Sequence, residues 1–347
     1  MVAARITALA HAVPPGVSQE ALWQGYFGAQ YDHDERAGRV WRSVGVRHRH
    51  GVVDPTEVRD IASWSTAERM RRFAVDAVPL GKEASAAVLA GAGLPASELG
   101  LFAVASCTGY VTPGLDIILA RDLAMDPSVQ RLGIGHMGCY AALPGLGTVA
   151  DFVRSRNRPA MLLCAELPSL HVQPTAGRLT AAGMEQLVAH ALFADAAAAA
   201  VVMPEGPGWE VVDIEARTDS DSSAYMTWEV IDTGFRMGLS PRVPDVLARH
   251  VGPVVSGMLA RNGLSGEEVA GWAVHPGGPR ILDVVGDRLG LPDGALDTSA
   301  EVLREYGNCS SATVLLVLQR LLPIDGHIVL LAFGPGLTLY ALLLRAG

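Results

Sequence analysis

The chain has 347 residues, half of them apolar and only 18% charged, with a formal net charge of −9. That composition supplies a large packed core and excludes a disordered chain. With no basic tail or Lys/Arg run, it also excludes nucleic acid as an expected partner.

Length points to roughly two units of about 150 residues. The opening residues lack the long apolar stretch of a secretory signal and turn at Pro14-Pro15-Gly16. The apolar runs 194–203 and 328–344 contain Asp195 or are broken by Gly334-Pro335-Gly336. They fall short of the roughly 20 residues of a membrane span, so no membrane association is expected. Cysteines 107, 139, 164 and 309 form no CxxC pair. Neither a metal site nor a disulfide framework is expected, and a reducing cytoplasm is the expected compartment.

In chain order, an opening strand is followed by an insertion and then a helical region at 69–90. Residues 91–109 (GAGLPASELGLFAVASCTG) read as a Gly-Leu helix stop, a short acidic linker and an apolar strand ending in a glycine-containing loop. Residues 136–153 (HMGCYAALPGLGTVADFV) read as a Gly-marked turn and an apolar helix. Residues 191–206 (ALFADAAAAAVVMPEG) predict a buried strand, a turn and a second strand.

The same order then returns. Residues 261–278 (RNGLSGEEVAGWAVHPGG) repeat the first segment, with Glu98 and Glu268 aligned at an offset of 170 (268 minus 98). Residues 306–322 (YGNCSSATVLLVLQRLL) repeat the second within one residue of that offset. Residues 329–347 repeat the third at a shorter offset, so the first half needs extra residues before Ala191. The reading is an α/β chain of two similar halves, about 1–207 and 208–347, whose buried strands give unalternating apolar runs.

Duplication makes the differences between the halves informative. At the turn before the second helix, one half carries Gly138-Cys139 and the other Gly307-Asn308-Cys309. At the preceding strand end, one carries Ser106-Cys107 and the other His275-Pro276. A lone apolar-flanked cysteine is usually a packed thiol. A thiol at a helix start, however, is expected to have a lowered pKa. Beside it, an imidazole and a neutral carboxamide could stabilise an oxyanion. Cys107 and Cys164 are read as packed thiols, Cys309 as a helix-start residue and His136 as structural.

At these residues the sequence resembles the thiolase-fold condensing enzymes, and within them the type III polyketide synthases, the chalcone synthase-like family. WAVHPGGPRILD (272–283), YGNCSSATVL (306–315) and AFGPGLTLYALLL (332–344) carry the resemblance most specifically. SCTGYVTPGLD (106–116), MGCYAALPGL (137–146), CAELPSLHVQ (164–173) and ALFADAAAAAVV (191–202) add to it in family order.

The resemblance implies a five-layered αβαβα fold of two duplicated halves, normally homodimeric and with no cofactor beyond its CoA thioester substrates. It places the nucleophile, histidine and asparagine at Cys139, His275 and Asn308. It further implies that Cys139 takes an acyl group from an acyl-CoA starter. His275 and Asn308 then hold the thioester carbonyl of malonyl-CoA, and the enolate left by decarboxylation attacks the acyl-enzyme. Phe193 matches one gatekeeper aromatic, and Met237 falls where the other is commonly aromatic. Trp228 stands where plant members often carry glycine, and His171 where a small residue is common. Gly277 and Ser310, next to the histidine and the asparagine, are further expected substrate contacts. Arg39 and Arg42, in an arginine cluster at 36–49, are expected at the CoA phosphates, against the alternative of a solvated basic face.

If Trp228, Met237 and His171 face the cavity, it is narrower than that of chalcone synthase and suits few extensions or a non-phenylpropanoid starter. The main rival is a ketoacyl synthase III-like or interconnecting ketosynthase making one condensation on acyl carrier protein substrates. A degradative thiolase needs a second catalytic cysteine near 333–338, where this chain has none.

Overall fold

The computed structural model describes residues 2–175 and 180–347. Its strands are β1 (Arg5–Ala12), β2 (Gly16–Ser18), β3 (His48–His50), β4 (Leu101–Ser106), β5 (Gln130–Gly135), β6 (Ala160–Glu166) and β7 (Ala196–Met203). These are followed by β8 (Trp209–Thr218), β9 (Met226–Ile231), β10 (Gly234–Leu239), β11 (Val269–Val274), β12 (His327–Gly334) and β13 (Thr338–Ala346). The helices are α1 (Gln19–Leu22), α2 (Gly28–Gln30), α3 (Glu35–Ser43), α4 (Thr66–Ala92), α5 (Leu115–Asp122) and α6 (Ala142–Arg156). Then come α7 (Ala181–Leu192), α8 (Val243–Arg261), α9 (Pro279–Leu289), α10 (Asp297–Tyr306) and α11 (Thr313–Leu321). Among the described residues no helix is long and apolar enough to cross a membrane.

Strand order exposes the duplication. One half runs β1-β7-β6-β4-β5 and the other β8-β13-β12-β11. In each half the first two pairings are antiparallel and the next is parallel. The halves join where Arg5 and Ile6 of β1 pair with Glu210 and Trp209 of β8.

Period-two alternation then sorts each strand between two apolar layers. In β6, Met161, Leu163 and Ala165 pack with α4, while Leu162 and Cys164 face a central layer containing α6 and α11. In β12, Leu330 and Ala332 face that central layer, and Val329 and Leu331 pack with α8 and α9. Helices therefore cover both faces of both half-sheets, in five layers. A two-sided core is why these strands read as unbroken apolar runs.

Two expected features differ. Residues 191–206 are not strand–turn–strand: they are the end of α7 followed by β7 alone. The counterpart of β12 is β6, so 167–195 is an insertion where the second half makes a tight hairpin at Pro335–Leu337. An alanine-rich helix end and an alanine-rich strand share one apolar signature, which hid the boundary. The second half also lacks a match for β5, and α10 occupies that position in the chain. Residues 13–65 form the expected early insertion, closed over Trp23, Tyr26, Phe27, Tyr31 and Trp41.

Candidate active site

Cys139 is delivered by β5 through a tight turn. His136 and Gly138 both have positive φ, 61° and 69°, and a 3₁₀ turn at Gly138–Tyr140 leads into α6. A Cβ on Gly138 would lie 2.6 Å from Pro335 Cδ, and one on Gly334 would lie 3.2 Å from the Cys139 nitrogen. Glycine at both positions lets the β12–β13 hairpin close against the cysteine turn.

Asn308 arrives from α10 through Gly307, which has φ 74°. Its nitrogen donates to Leu192 O at 2.8 Å, and its carbonyl accepts from Ala194 N at 2.9 Å. Asn308 is thereby laced to Phe193 as a one-residue bridge between the halves. Its Oδ1 accepts from Ser310 N at 2.9 Å and lies 4.0 Å from Cys139 Sγ. The carboxamide is oriented by that first bond, which leaves Nδ2 as the donor end.

His275 follows β11, and its nitrogen donates to Leu331 O at 2.8 Å. The ring meets Phe333 edge-on with centroids 5.6 Å apart. Phe333 precedes Gly334, whose Cα abuts the Cys139 backbone. Among the described residues His275 Nδ1 is buried without a partner. Burial lowers the imidazole pKa to about 3, so the ring is neutral. Burial also pushes the Cys139 thiol up to about 12, outweighing bonds from Ser310 and Asn308 that favour the thiolate. This reverses the lowered value expected from a helix start: the cysteine is 6% exposed, and desolvation of the thiolate exceeds the pull of one short turn.

A cavity of about 290 Å³ opens beside Cys139, lined by Cys107, Thr108, Phe193, Trp228, Met237 and Ser310, among others. Phe193, Trp228, Met237 and Ser310 thus meet there. His171 does not line this cavity. It lines a second chamber of about 700 Å³ behind the same Phe193, Trp228 and Met237. Its Nε2 donates to Thr108 O at 2.6 Å, its Nδ1 accepts from Phe235 N at 3.0 Å, and its ring stacks on Phe235 at 4.4 Å. Both nitrogens are committed and burial lowers its pKa to about 3, so His171 is a buttress. Trp228 is pinned by its Nε1–H, which donates to Cys107 O at 2.7 Å.

The sequence reading passed over Glu166. This fully buried carboxylate accepts from Cys107 N at 3.0 Å, Thr108 Oγ1 at 2.9 Å and Ser311 Oγ at 2.6 Å. Ser310 Oγ stands 3.4 Å from both Glu166 Oε1 and Cys107 Sγ, so the network touches the cavity wall. Burial raises the Glu166 pKa. A carboxylate closing an apolar strand was the available signal. Cys107 is packed, as expected, but it also lines the cavity.

A groove of about 1970 Å³ runs along α3, α7 and α9, with Gly277, Gly278 and Phe333 at its floor and Arg36 and Arg280 among its lining. Arg39 and Arg42 are not among the lining residues. They are exposed and pair with Glu35 at 3.9 Å and Glu20 at 3.3 Å. Helical periodicity decides this, because Arg36 and Val40 share the face of α3 that looks onto the groove.

Residues 2–207 match the family model for the chalcone and stilbene synthase N-terminal domain, and 219–346 match that for the C-terminal domain. A 1,3,6,8-tetrahydroxynaphthalene synthase of Streptomyces peucetius subsp. caesius is 35% identical over 319 residues, covering 88% of this chain and 82% of the relative. The alpha-pyrone synthesis polyketide synthase-like Pks18 of Mycobacterium tuberculosis is 32% identical over 327 residues, with 89% and 82% covered. The crystal structure of PKS-I from the brown alga Ectocarpus siliculosus superposes with a TM-score of 0.91 at 27% identity, covering 100% of this chain and 99% of that one. These relatives do not favour a carrier-protein-dependent ketoacyl synthase. The chain belongs to the chalcone and stilbene synthase family and is a type III polyketide synthase-like condensing enzyme.

Proposed function

We propose that Cys139 carries the growing acyl chain and that His275 and Asn308 hold the malonyl-CoA thioester while it loses carbon dioxide. The observation that carries this reading is the orientation of Asn308. Oδ1 is held by Ser310 N and lies 4.0 Å from Cys139 Sγ, so Nδ2, with no bond among the described residues, is the donor free for a thioester carbonyl. A neutral imidazole and a carboxamide donate hydrogen bonds to a developing enolate oxygen without repelling it. The thiol loses its proton as the starter carbonyl is attacked, and CoA leaves. The enolate carbon then attacks the acyl-Cys139 carbonyl, the carbon–Sγ bond breaks to free the cysteine, and the chain, two carbons longer, is left on CoA.

CoA thioesters are the substrates in this reading, and no separate cofactor takes part. The groove floored by Gly277 and Gly278 is the route for the pantetheine arm, and Arg36 and Arg280 supply phosphate contacts. The enzyme works as a homodimer in the cytoplasm, where its four free buried thiols stay reduced. A tight cavity walled by Trp228 and Met237 suits a small starter or few extensions.

The test is incubation with a panel of acyl-CoAs and malonyl-CoA, read by intact-protein mass spectrometry and product analysis. A thioester adduct on Cys139, absent in Cys139→Ala, is expected. Several malonyl additions onto a bulky aromatic starter would refute the narrow-cavity reading. Turnover with malonyl-carrier protein but not malonyl-CoA would refute the choice of donor.

A further inference from the structure

The chamber behind the Cys139 cavity holds a charge that the condensation reaction does not use. It shares Pro168, Phe193, Trp228 and Met237 with that cavity, and much of the rest of its wall is apolar. Arg49, in the middle of β3, lines it and is 7% exposed. The guanidinium carbon lies 5.0 Å from the Trp41 ring centroid and 5.8 Å from that of Phe27. Nη1 donates to the carbonyl of His190 and, at 3.0 Å, to that of Phe193. Nε is buried without a partner, and Nη2 has none among the described residues.

No carboxylate pairs with this cation among the described residues. Asp195, the acid that acts on it electrostatically, already accepts from Val52 N, Ser169 N and Ser169 Oγ. A buried cation without a counter-ion is costly. The unused donors, Nε and Nη2, form the side-on edge of the guanidinium, whose parallel N–H groups match the two oxygens of a carboxylate. Several other polar groups on the wall are taken, and of the rest Gln186 is uncharged. His171 and His190 use both ring nitrogens, and Asp54 accepts from Thr56 N and Oγ1. An apolar chamber with one convergent charged donor is the pattern of a site that orients one end of a ligand.

We propose that Arg49 recognises a carboxylate at the far end of the acyl chain carried by Cys139, so that the enzyme accepts a dicarboxylic acyl thioester as starter. The proposal rests on acylation of Cys139. Phe193 ties the two places together: its carbonyl accepts from Arg49, its backbone bridges to Asn308, and its side chain borders both cavities. In loading, Cys139 Sγ bonds to the thioester carbonyl carbon and the bond to the CoA sulfur breaks. CoA departs as the thiol with the proton that Cys139 gave up, and the distal carboxylate is unchanged.

The test uses the full-length enzyme without malonyl-CoA. Succinyl-, glutaryl- and adipyl-CoA are each compared with their monomethyl esters, and Cys139 acylation is followed by intact mass and CoA release. At least one free acid is expected to load at least tenfold faster than its ester. Arg49→Lys keeps the charge but loses the two-donor fork, so this ratio should fall toward one. A merely structural arginine would lower both rates together and leave the ratio in place. Esters loading as fast as their acids, or a ratio unmoved in Arg49→Lys, overturns the proposal while Cys139 chemistry stands. If no acyl-CoA of any kind acylates Cys139, both readings fall together.

Discussion

Asn308 and Trp228 show how single side chains set this site. On the proposed mechanism Asn308→Ala removes a donor to the thioester carbonyl, and loss of one such donor costs about 2.7–4 kcal/mol of barrier. Malonyl-CoA decarboxylation is expected to slow by roughly 10²–10³-fold, with acylation of Cys139 retained. Steady-state decarboxylation measured beside intact mass checks this. Trp228 forms part of the wall of both the Cys139 cavity and the chamber behind it, pinned by its bond to Cys107 O. Trp228→Gly should widen the passage between the two spaces, and product analysis should find longer polyketides or bulkier accepted starters. Trp228→Phe, which keeps most of the wall, should not. Unchanged product length in the glycine variant would exclude Trp228 as the limiting wall.

At the scale of elements, the site depends on turns meeting across the two halves. Gly138 and Gly93 have φ of 69° and 62°, but their surroundings differ. A Cβ on Gly138 would meet Pro335 Cδ at 2.6 Å, whereas one on Gly93, at the end of α4, meets nothing within 4 Å. Gly93→Ala should cost only left-handed backbone strain, roughly 1–2 kcal/mol, and leave acylation intact. Gly138→Ala adds a steric push between the cysteine turn and the β12–β13 hairpin. It is expected to lower the denaturation midpoint further and to impair Cys139 acylation. Equal effects of the two substitutions on both readouts would dissociate the hairpin contact from the site. The cysteine turn, the asparagine turn and the histidine strand end were legible because each is a local pattern repeated in the chain. The contact between Gly138 and Pro335 was not, since nearly two hundred residues separate them.

For the whole molecule, buried titrating groups govern the response to acid. Burial lowers the pKa of His171, His190 and His275 to about 3, against an ordinary value of about 6.5. Each contributes stability that is full above about pH 6.5 and is lost as pH falls toward 3. Asp195, raised to about 7, and Glu166, also raised, act in the opposite sense: their contribution is present at low pH and lost as pH rises through the folded value. Between about pH 6 and 4.5, three histidines outnumber two carboxylates. On balance unfolding takes up protons there, so stability falls on acidification, by roughly 1.4 kcal/mol per pH unit for each net proton taken up. Denaturant unfolding across that range should show this slope. Stability that is flat or rises toward pH 4.5 would mean that the histidines are not held neutral.

The amino-acid sequence by itself determined the duplicated α/β architecture and the three residues expected to carry the chemistry. Apolar periodicity, glycine turns and the Cys139, His275 and Asn308 motifs are local signals, and local signals survive in one dimension. Tertiary structure decided what depends on distant segments meeting. It placed Trp228 and Met237 on the Cys139 cavity and His171 behind it, and turned Arg36 rather than Arg39 or Arg42 toward the groove. It also set the protonation of the Cys139 thiol. A thiol at a helix start reads as acidic in sequence, but how much water remains around Cys139 depends on packing from both halves, and desolvation raises its pKa.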